Sequence, residues 1–154
     1  MIESTADRSA RRSFVSYYLP LIFWMAFIFF ASSASFSAAN TSTFIEPLLK
    51  WLFPNASLAT LTFMHFVIRK LAHFTEYAVL AILAARAFDR SGLAGSRNRW
   101  FLISAILVMA YALLDEYHQS FVPSRSASVI DSLVDMTGGF TALLIIRRRR
   151  SKLR

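Results

Sequence analysis

The sequence predicts an all-α, polytopic membrane protein, a bundle of four transmembrane helices with a short interfacial helix between spans one and two. Of its 154 residues, 56% are hydrophobic and 17% are charged, compared with about 45–50% and about 25% in average soluble domains. Four stretches approach the length of about 20 apolar residues that crosses a bilayer as a helix. The absence of cysteine excludes disulfides, thiol catalysis and thiolate metal sites.

The first span is predicted at residues 14–33, which contain no charged residue. Arginines precede this run and small residues follow it, as in a cleaved signal peptide. The apolar stretch is longer than the roughly 7–15 residues of a signal h-region, which favours a membrane span. After it, residues 43–54 carry Trp51 and Phe53 among leucines. This pattern predicts a short helix that lies in the outer membrane interface.

Three further spans are predicted at about residues 63–88, 100–122 and 128–146. Spans two and three form a helical hairpin around the polar loop at 89–99. The predicted organisation is therefore an N-terminal segment at 1–13, a membrane domain at 14–146 and a basic tail at 147–154.

The distribution of the basic residues behind the net charge of +8 indicates how the chain is oriented in the membrane. Thirteen of the 17 basic residues lie in the N-terminal segment, in the loop between spans two and three together with Arg86 just before it, and in the tail. By the positive-inside rule this side is cytoplasmic, so we expect both termini inside the cell. Binding of anionic lipid by the arginine tail is a secondary possibility. No nucleic acid is expected as a partner, because no folded binding module accompanies the arginines.

In this orientation every carboxylate embedded in a span falls in its outer half. Ionisable residues at such depth are costly and are candidates for function. The 3.6-residue period of the helix places most of them in one polar stripe on each span. The candidates are Arg69, Lys70, His73, Glu76 and Tyr77 on span two, Asp115, Glu116, His118 and Gln119 on span three, Arg125 in the following turn, and Asp131 and Asp135 on span four. Gly138, on the same face as Asp135, permits close approach of another helix.

These residue types suggest two kinds of role. Glu76, His73, Asp115 and His118 are candidate general acids or bases. We expect the remaining members to contact a ligand: Arg69, Lys70, Tyr77, Glu116, Gln119, Arg125, Asp131 and Asp135. Acids outnumber the lysine and arginines of the cluster by two, so either protons, charged histidines or a divalent cation balance them. No fixed-spacing metal motif is present, and no residue is assigned as a metal ligand.

Three ordered motifs resemble the VanZ-like family of small bacterial membrane proteins. They are KLAHFTEYAVL at 70–80, DEYHQSFVP at 115–123, and Arg125 followed by Asp131, Asp135 and Gly138. One departure is Pro123-Ser124-Arg125, where the family commonly has Pro-Gly-Arg. The resemblance implies a place in the bacterial cytoplasmic membrane and, through the founding member, a link to teicoplanin resistance. It implies no particular reaction, so whether the chain is an enzyme stays open.

Three functions therefore remain. The first is an outward-facing pocket that binds a cell-envelope lipid, a lipid-linked envelope component or a glycopeptide-like amphiphile. The second is an intramembrane hydrolase or transferase acting on a lipid-linked phosphate or glycan. The third is a purely structural cluster in which the cations pair with the acids and hold the bundle together. Ion transport is disfavoured, because the cytoplasmic halves of the spans lack polar residues. The oligomeric state is not predicted.

Overall fold

The computed structural model describes residues 5–90, 99–125 and 128–152, with side chains from residue 14 onward. The described chain contains α1 (Thr5–Ala31), a 3₁₀ turn (Ala34–Phe36), α2 (Ala38–Leu52), α3 (Leu58–Arg90), α4 (Arg99–Gln119) and α5 (Val129–Lys152). No strand occurs in these residues, so the all-α prediction is confirmed. The basic side chains of the N-terminal segment and most of the loop predicted at 89–99 lie outside the described residues.

Four helices are long and apolar enough to cross a membrane: residues Phe14–Ala31 of α1, and α3, α4 and α5. Their outer surfaces carry large apolar side chains, among them Phe23, Phe63 and Leu114, each more than half exposed. Such a surface is typical of a protein that faces lipid. The predicted four-span membrane protein is therefore confirmed, as is a short helix, α2, between the first two spans.

Several helices extend differently from the predicted spans. Helix α3 begins at Leu58, five residues before the predicted span, and α4 ends at Gln119. Helix α5 continues through the four arginines that begin the predicted tail and ends at Lys152. The basic segment at this end is therefore a helical extension of span four.

Helix α3 lies at the centre of the bundle and contacts each of the other four helices, most extensively α5. Its 33 residues extend about 50 Å at 1.5 Å per residue, compared with a hydrocarbon core of about 30 Å. At least one end of α3 therefore projects beyond the hydrocarbon. Its buried face includes Tyr77, Leu80, Ala81 and Ala84, all fully buried.

Two adjacent glycines allow α5 to pack closely against its neighbours. A Cβ atom at Gly138 would overlap the backbone carbonyl of Phe74 on α3, and one at Gly139 would overlap the side chain of Val108 on α4. Small residues permit such backbone approach between membrane helices. Because Asp135 precedes Gly138 by about one turn, this contact also brings Asp135 to the polar face of α3.

Helix α1 is attached to the bundle by two hydrogen bonds from aromatic side chains. Trp24 Nε1 donates to the backbone oxygen of Glu76 at 2.9 Å. Tyr111 Oη on α4 donates to the backbone oxygen of Met25 at 2.5 Å. The first bond joins α1 to the backbone of Glu76 in the polar cluster, and the second joins α1 to α4 one turn before Asp115.

Candidate functional site

His73 and Asp135 form the most deeply buried histidine–carboxylate pair of the cluster. His73 Nδ1 on α3 lies 3.4 Å from Asp135 Oδ1 on α5, with side-chain exposures of 13% and 1%. This separation is longer than a good N–H···O hydrogen bond of about 2.7–3.2 Å, and neither atom has a hydrogen-bond partner among the described residues. The Asp135 carboxyl group faces Nδ1 of the ring and does not engage Nε2.

Two other acids of the cluster, Asp131 and Glu116, accept hydrogen bonds at the start of α5. Lys70 Nζ donates to Asp131 Oδ1, and the backbone amide of Ser128 donates to Glu116 Oε1. An anionic side chain at a helix N-terminus is stabilised by the unpaired amides and dipole there. These two contacts connect α3, α4 and α5, and the first is a cation–acid pair of the kind that the structural hypothesis expects.

Arg125, in contrast, binds mainly backbone carbonyls at the end of α1. Its Nη2 donates to Ala31 O at 2.5 Å and to Phe36 O at 3.0 Å, and its Nε donates to Ser33 O at 3.3 Å. The last carbonyls of a helix lack partners within it, and a cation is favourable there. Burial, and then the neighbouring Arg69 guanidinium, lowers the pKa of Arg125 from its ordinary value. The guanidinium nevertheless stays charged. Arg125 therefore caps the end of α1, although it follows the carbonyl of Ser33 by 92 residues in the sequence.

Gln119 links Arg125 to a buried acid. Arg125 Nη1 donates to Gln119 Oε1 at 3.2 Å, and Gln119 Nε2 donates to Asp115 Oδ2 at 2.9 Å. Gln119 and Asp115 are each 4% exposed. Asp115 Oδ1 has no hydrogen-bond partner in the described part of the chain. The Asp115 carboxyl group is therefore connected to Arg125 through the neutral amide of Gln119. That link uses only one of its two oxygens.

The Arg69 guanidinium has hydrogen-bond donors that no described residue accepts from. Its Nη1 donates to Phe36 O at 2.9 Å and to Thr41 Oγ1 at 3.3 Å. Within the described residues, its Nε and Nη2 make no hydrogen bond. Arg69 and Arg125 thus meet at the same carbonyl, Phe36 O, and only Arg69 has a largely unoccupied guanidinium. Thr41 also contacts His65 Nε2 at 3.1 Å, which extends the polar face toward α2.

A cavity of about 200 Å³ opens beside these arginines, mainly between α2 and α3. Its polar lining comprises Arg69, His73, Glu76 and Arg125 with Thr41 and His65, and its apolar lining comprises Ala31, Phe36, Phe44, Ile45, Ile68 and Ala72. The cavity is therefore lined by both charged and apolar side chains.

Four of the twelve predicted site residues line this cavity: Arg69, His73, Glu76 and Arg125. Asp115, Gln119 and Asp135 stand behind them, connected through Arg125 and His73, and Glu76 interacts electrostatically with both acids. Lys70, Asp131 and Glu116 join the helices at the start of α5. Tyr77 is fully buried, with Oη 3.4 Å from the backbone oxygen of Tyr111. His118 packs against the Phe29 ring at 4.3 Å and does not line the cavity.

Sequence reasoning missed the contribution of α1 and α2. The carbonyls of Ala31, Ser33 and Phe36 receive the arginines, and a carbonyl gives no residue-specific signal. His65 on α3, which is not among the predicted site residues, is 5% exposed and contacts Thr41. Its spacing of four residues from Arg69 was the available signal.

The structure offers no support for a divalent cation. Among the described residues, no group of three or more His, Cys, Asp or Glu side chains is arranged to hold a metal ion.

The fold and the site define a multi-pass helical membrane protein with a polar cluster enclosed by its helices. A family profile described as VanZ/LLP1 matches residues 17–150, which is most of the chain. The chain belongs to this family, as the motifs at 70–80 and 115–123 predicted. No curated protein and no solved structure matches it.

Proposed function

We propose that the cavity binds an amphiphilic cell-envelope molecule, a lipid or glycopeptide-like ligand with an anionic head, from the outer side of the bacterial cytoplasmic membrane. Binding would contribute to envelope function or glycopeptide resistance. The observation that carries the proposal is that two donors of Arg69, Nε and Nη2, have no acceptor among the described residues, on the wall of a cavity with both charged and apolar lining.

The head of the ligand is assigned to Arg69. A guanidinium binds phosphate or carboxylate through two parallel hydrogen bonds, and Arg69 has Nε and Nη2 available for them. Arg125 uses its donors on carbonyls and Gln119, so its role is to position α1 and to add positive charge. Thr41 supplies a hydroxyl beside the same guanidinium.

The cavity accommodates only part of such a ligand. At about 200 Å³ it is smaller than the about 300–1,000 Å³ of sites that enclose a drug-sized molecule. Phe44, Ile45 and Ile68 would contact the first carbons, while the rest of the chain extends along the apolar outer surface of the bundle.

The test uses the purified full-length protein and two matched lipids, dioleoyl phosphatidic acid and dioleoylglycerol, which differ by the phosphate. We expect the phosphate lipid alone to slow hydrogen exchange of residues 34–45, and Arg69→Gln to abolish the effect. Arg148→Gln, an exposed arginine at the other end of the bundle, is the matched control and should keep it. Equal protection by both lipids, or protection that survives Arg69→Gln, would contradict the proposal.

A second candidate function is hydrolysis of a lipid-linked phosphate ester, favoured by the buried His73–Asp135 pair at the cavity. A carboxylate that fixes one ring nitrogen prepares the other to act as general base. In this reaction water oxygen bonds to phosphorus and the bond from phosphorus to the lipid oxygen breaks. His73 Nε2 accepts the proton of water and delivers it to the leaving alcohol, while Arg69 stabilises the phosphoryl oxygens.

Mass spectrometry of lipid products separates catalysis from binding. Turnover would release the lipid alcohol and inorganic phosphate with wild type, and His73→Gln and Asp135→Asn would each reduce the rate. Binding without product formation would leave the first proposal alone. If these variants instead disappeared from the membrane, the cluster would be purely structural, the third function.

A further inference from the structure

A second cavity, of about 410 Å³, lies at the opposite end of the bundle between α1, α3 and α5. It is lined by Arg86, Arg90 and Arg150 with Tyr17, Ile82 and Ile146. On α3, Arg69 and Arg90 are 21 residues apart, or about 32 Å along the helix, similar to the hydrocarbon thickness of about 30 Å. The two cavities therefore lie near opposite edges of the hydrocarbon region.

Aromatic and acidic neighbours hold two of these arginines in place. The Arg150 guanidinium lies 4.3 Å from the centre of the Trp100 ring, and its Nη1 is 2.9 Å from Asp89 Oδ1. The Arg86 guanidinium lies 5.7 Å from the centre of the Tyr17 ring. Cation–π contacts of this kind restrict the side chains, and restricted side chains lose less entropy when a ligand binds.

Positive charge at this cavity exceeds negative charge. Asp89 pairs with Arg150, and in the described part of the chain neither Arg86 nor Arg90 has an acidic partner. Three exposed arginines, Arg147, Arg148 and Arg149, precede Arg150 on α5. An anion in the cavity would offset this repulsion.

We propose that this cavity binds the headgroup phosphate of an anionic phospholipid. Two guanidinium groups on one helix turn can contact the phosphate oxygens, and basic pockets between transmembrane helices suit anionic headgroups. Ile82, 48% exposed, and Ile146 would contact the glycerol and first acyl carbons. This apolar wall favours a lipid over free phosphate as the source of the anion. The site is separate from that of the proposed function in position and in lining residues.

Native mass spectrometry and thermal unfolding test the proposal. The full-length protein in detergent is measured with phosphatidylglycerol, phosphatidylcholine or inorganic phosphate. We expect only phosphatidylglycerol to form a retained complex and to raise Tm. The double variant Arg86→Gln/Arg90→Gln should bind it about tenfold more weakly, a difference of about 1.4 kcal/mol. Both side chains are exposed, so the lipid-free Tm should change little.

Two controls keep this site distinct from the first cavity. Arg148→Gln/Arg149→Gln removes the same charge outside the lining and should retain binding, as should Arg69→Gln. The proposal is overturned if the Arg86/Arg90 variant binds phosphatidylglycerol as wild type does, or if inorganic phosphate raises Tm equally. Loss of binding in Arg69→Gln alone would place the lipid in the first cavity and would also overturn it.

Discussion

His73 and Asp135 face each other across the interface of α3 and α5, beside a close approach of the two backbones. Their side-chain atoms are 3.4 Å apart, and one helical turn further along α5, Gly138 meets the carbonyl of Phe74, the residue after His73. The close approach of the helices at Gly138 therefore helps to set the distance between His73 and Asp135. The geometry of the His73–Asp135 pair therefore depends on Gly138, a residue without a side chain.

We expect Gly138→Ala to destabilise the protein and to separate His73 from Asp135. The added methyl group would overlap backbone atoms of Phe74, which cannot rotate away. Overpacking of this kind costs about 1–3 kcal/mol. Unfolding of the purified variant in detergent, followed by circular dichroism, measures the loss, and an unchanged Tm would show that the helices adjust freely.

Gly139→Ala provides the matched comparison. Its added methyl group would meet the side chain of Val108 instead of backbone. Val108→Ala should therefore restore most of the stability lost in Gly139→Ala and none of that lost in Gly138→Ala. Equal rescue at both positions would contradict the distinction between side-chain and backbone contact.

Arg125→Lys should release the end of α1. A lysine cannot reproduce the planar set of donors with which Arg125 binds Ala31, Ser33 and Phe36. Hydrogen bonds from charged groups contribute about 1.5–3 kcal/mol each. We expect faster hydrogen exchange of the backbone amides at 32–37 and a lower Tm, with wild-type exchange in Arg148→Lys. Unaltered exchange in Arg125→Lys would show that the cap is dispensable.

Helical spacing predicted much of the cluster from the sequence. The positions of Arg69, His73 and Glu76 on α3 follow from a period of 3.6 residues, and all three line the cavity. Asp135 and Gly138 share a face for the same reason. Such patterns succeed because the angle between side chains on one helix is set locally.

The partners of the arginines could not be predicted in this way. The structural hypothesis paired Arg69 and Arg125 with acids, whereas both donate to Phe36 O. That carbonyl lies in the 3₁₀ turn between α1 and α2, and its position depends on how four helices pack. Backbone acceptors are present at every residue, so neither composition nor spacing distinguishes this one.

The position of α2 in the membrane interface is still a prediction, and Trp51 can test it. Trp51 is 76% exposed on α2, and amphipathic indole rings favour the interface. In the variant Trp24→Phe/Trp100→Phe, Trp51 is the remaining tryptophan. We expect lipids brominated near the glycerol to quench its fluorescence more strongly than lipids brominated near the chain end. Quenching by neither would place α2 in water.

The orientation of the bundle decides which leaflet the first cavity serves. We expect the turn between α2 and α3 outside the cell and the end of α5 inside, because of the excess of arginines at the latter. The natural chain has no cysteine, so Asn55→Cys and Ser151→Cys, both at exposed positions, introduce single labelling sites. A membrane-impermeant maleimide should label Asn55→Cys in intact spheroplasts and Ser151→Cys only after permeabilisation. The reverse pattern would place the Arg69 cavity at the inner leaflet and would exclude an outward-facing ligand, while leaving its amphipathic geometry unchanged.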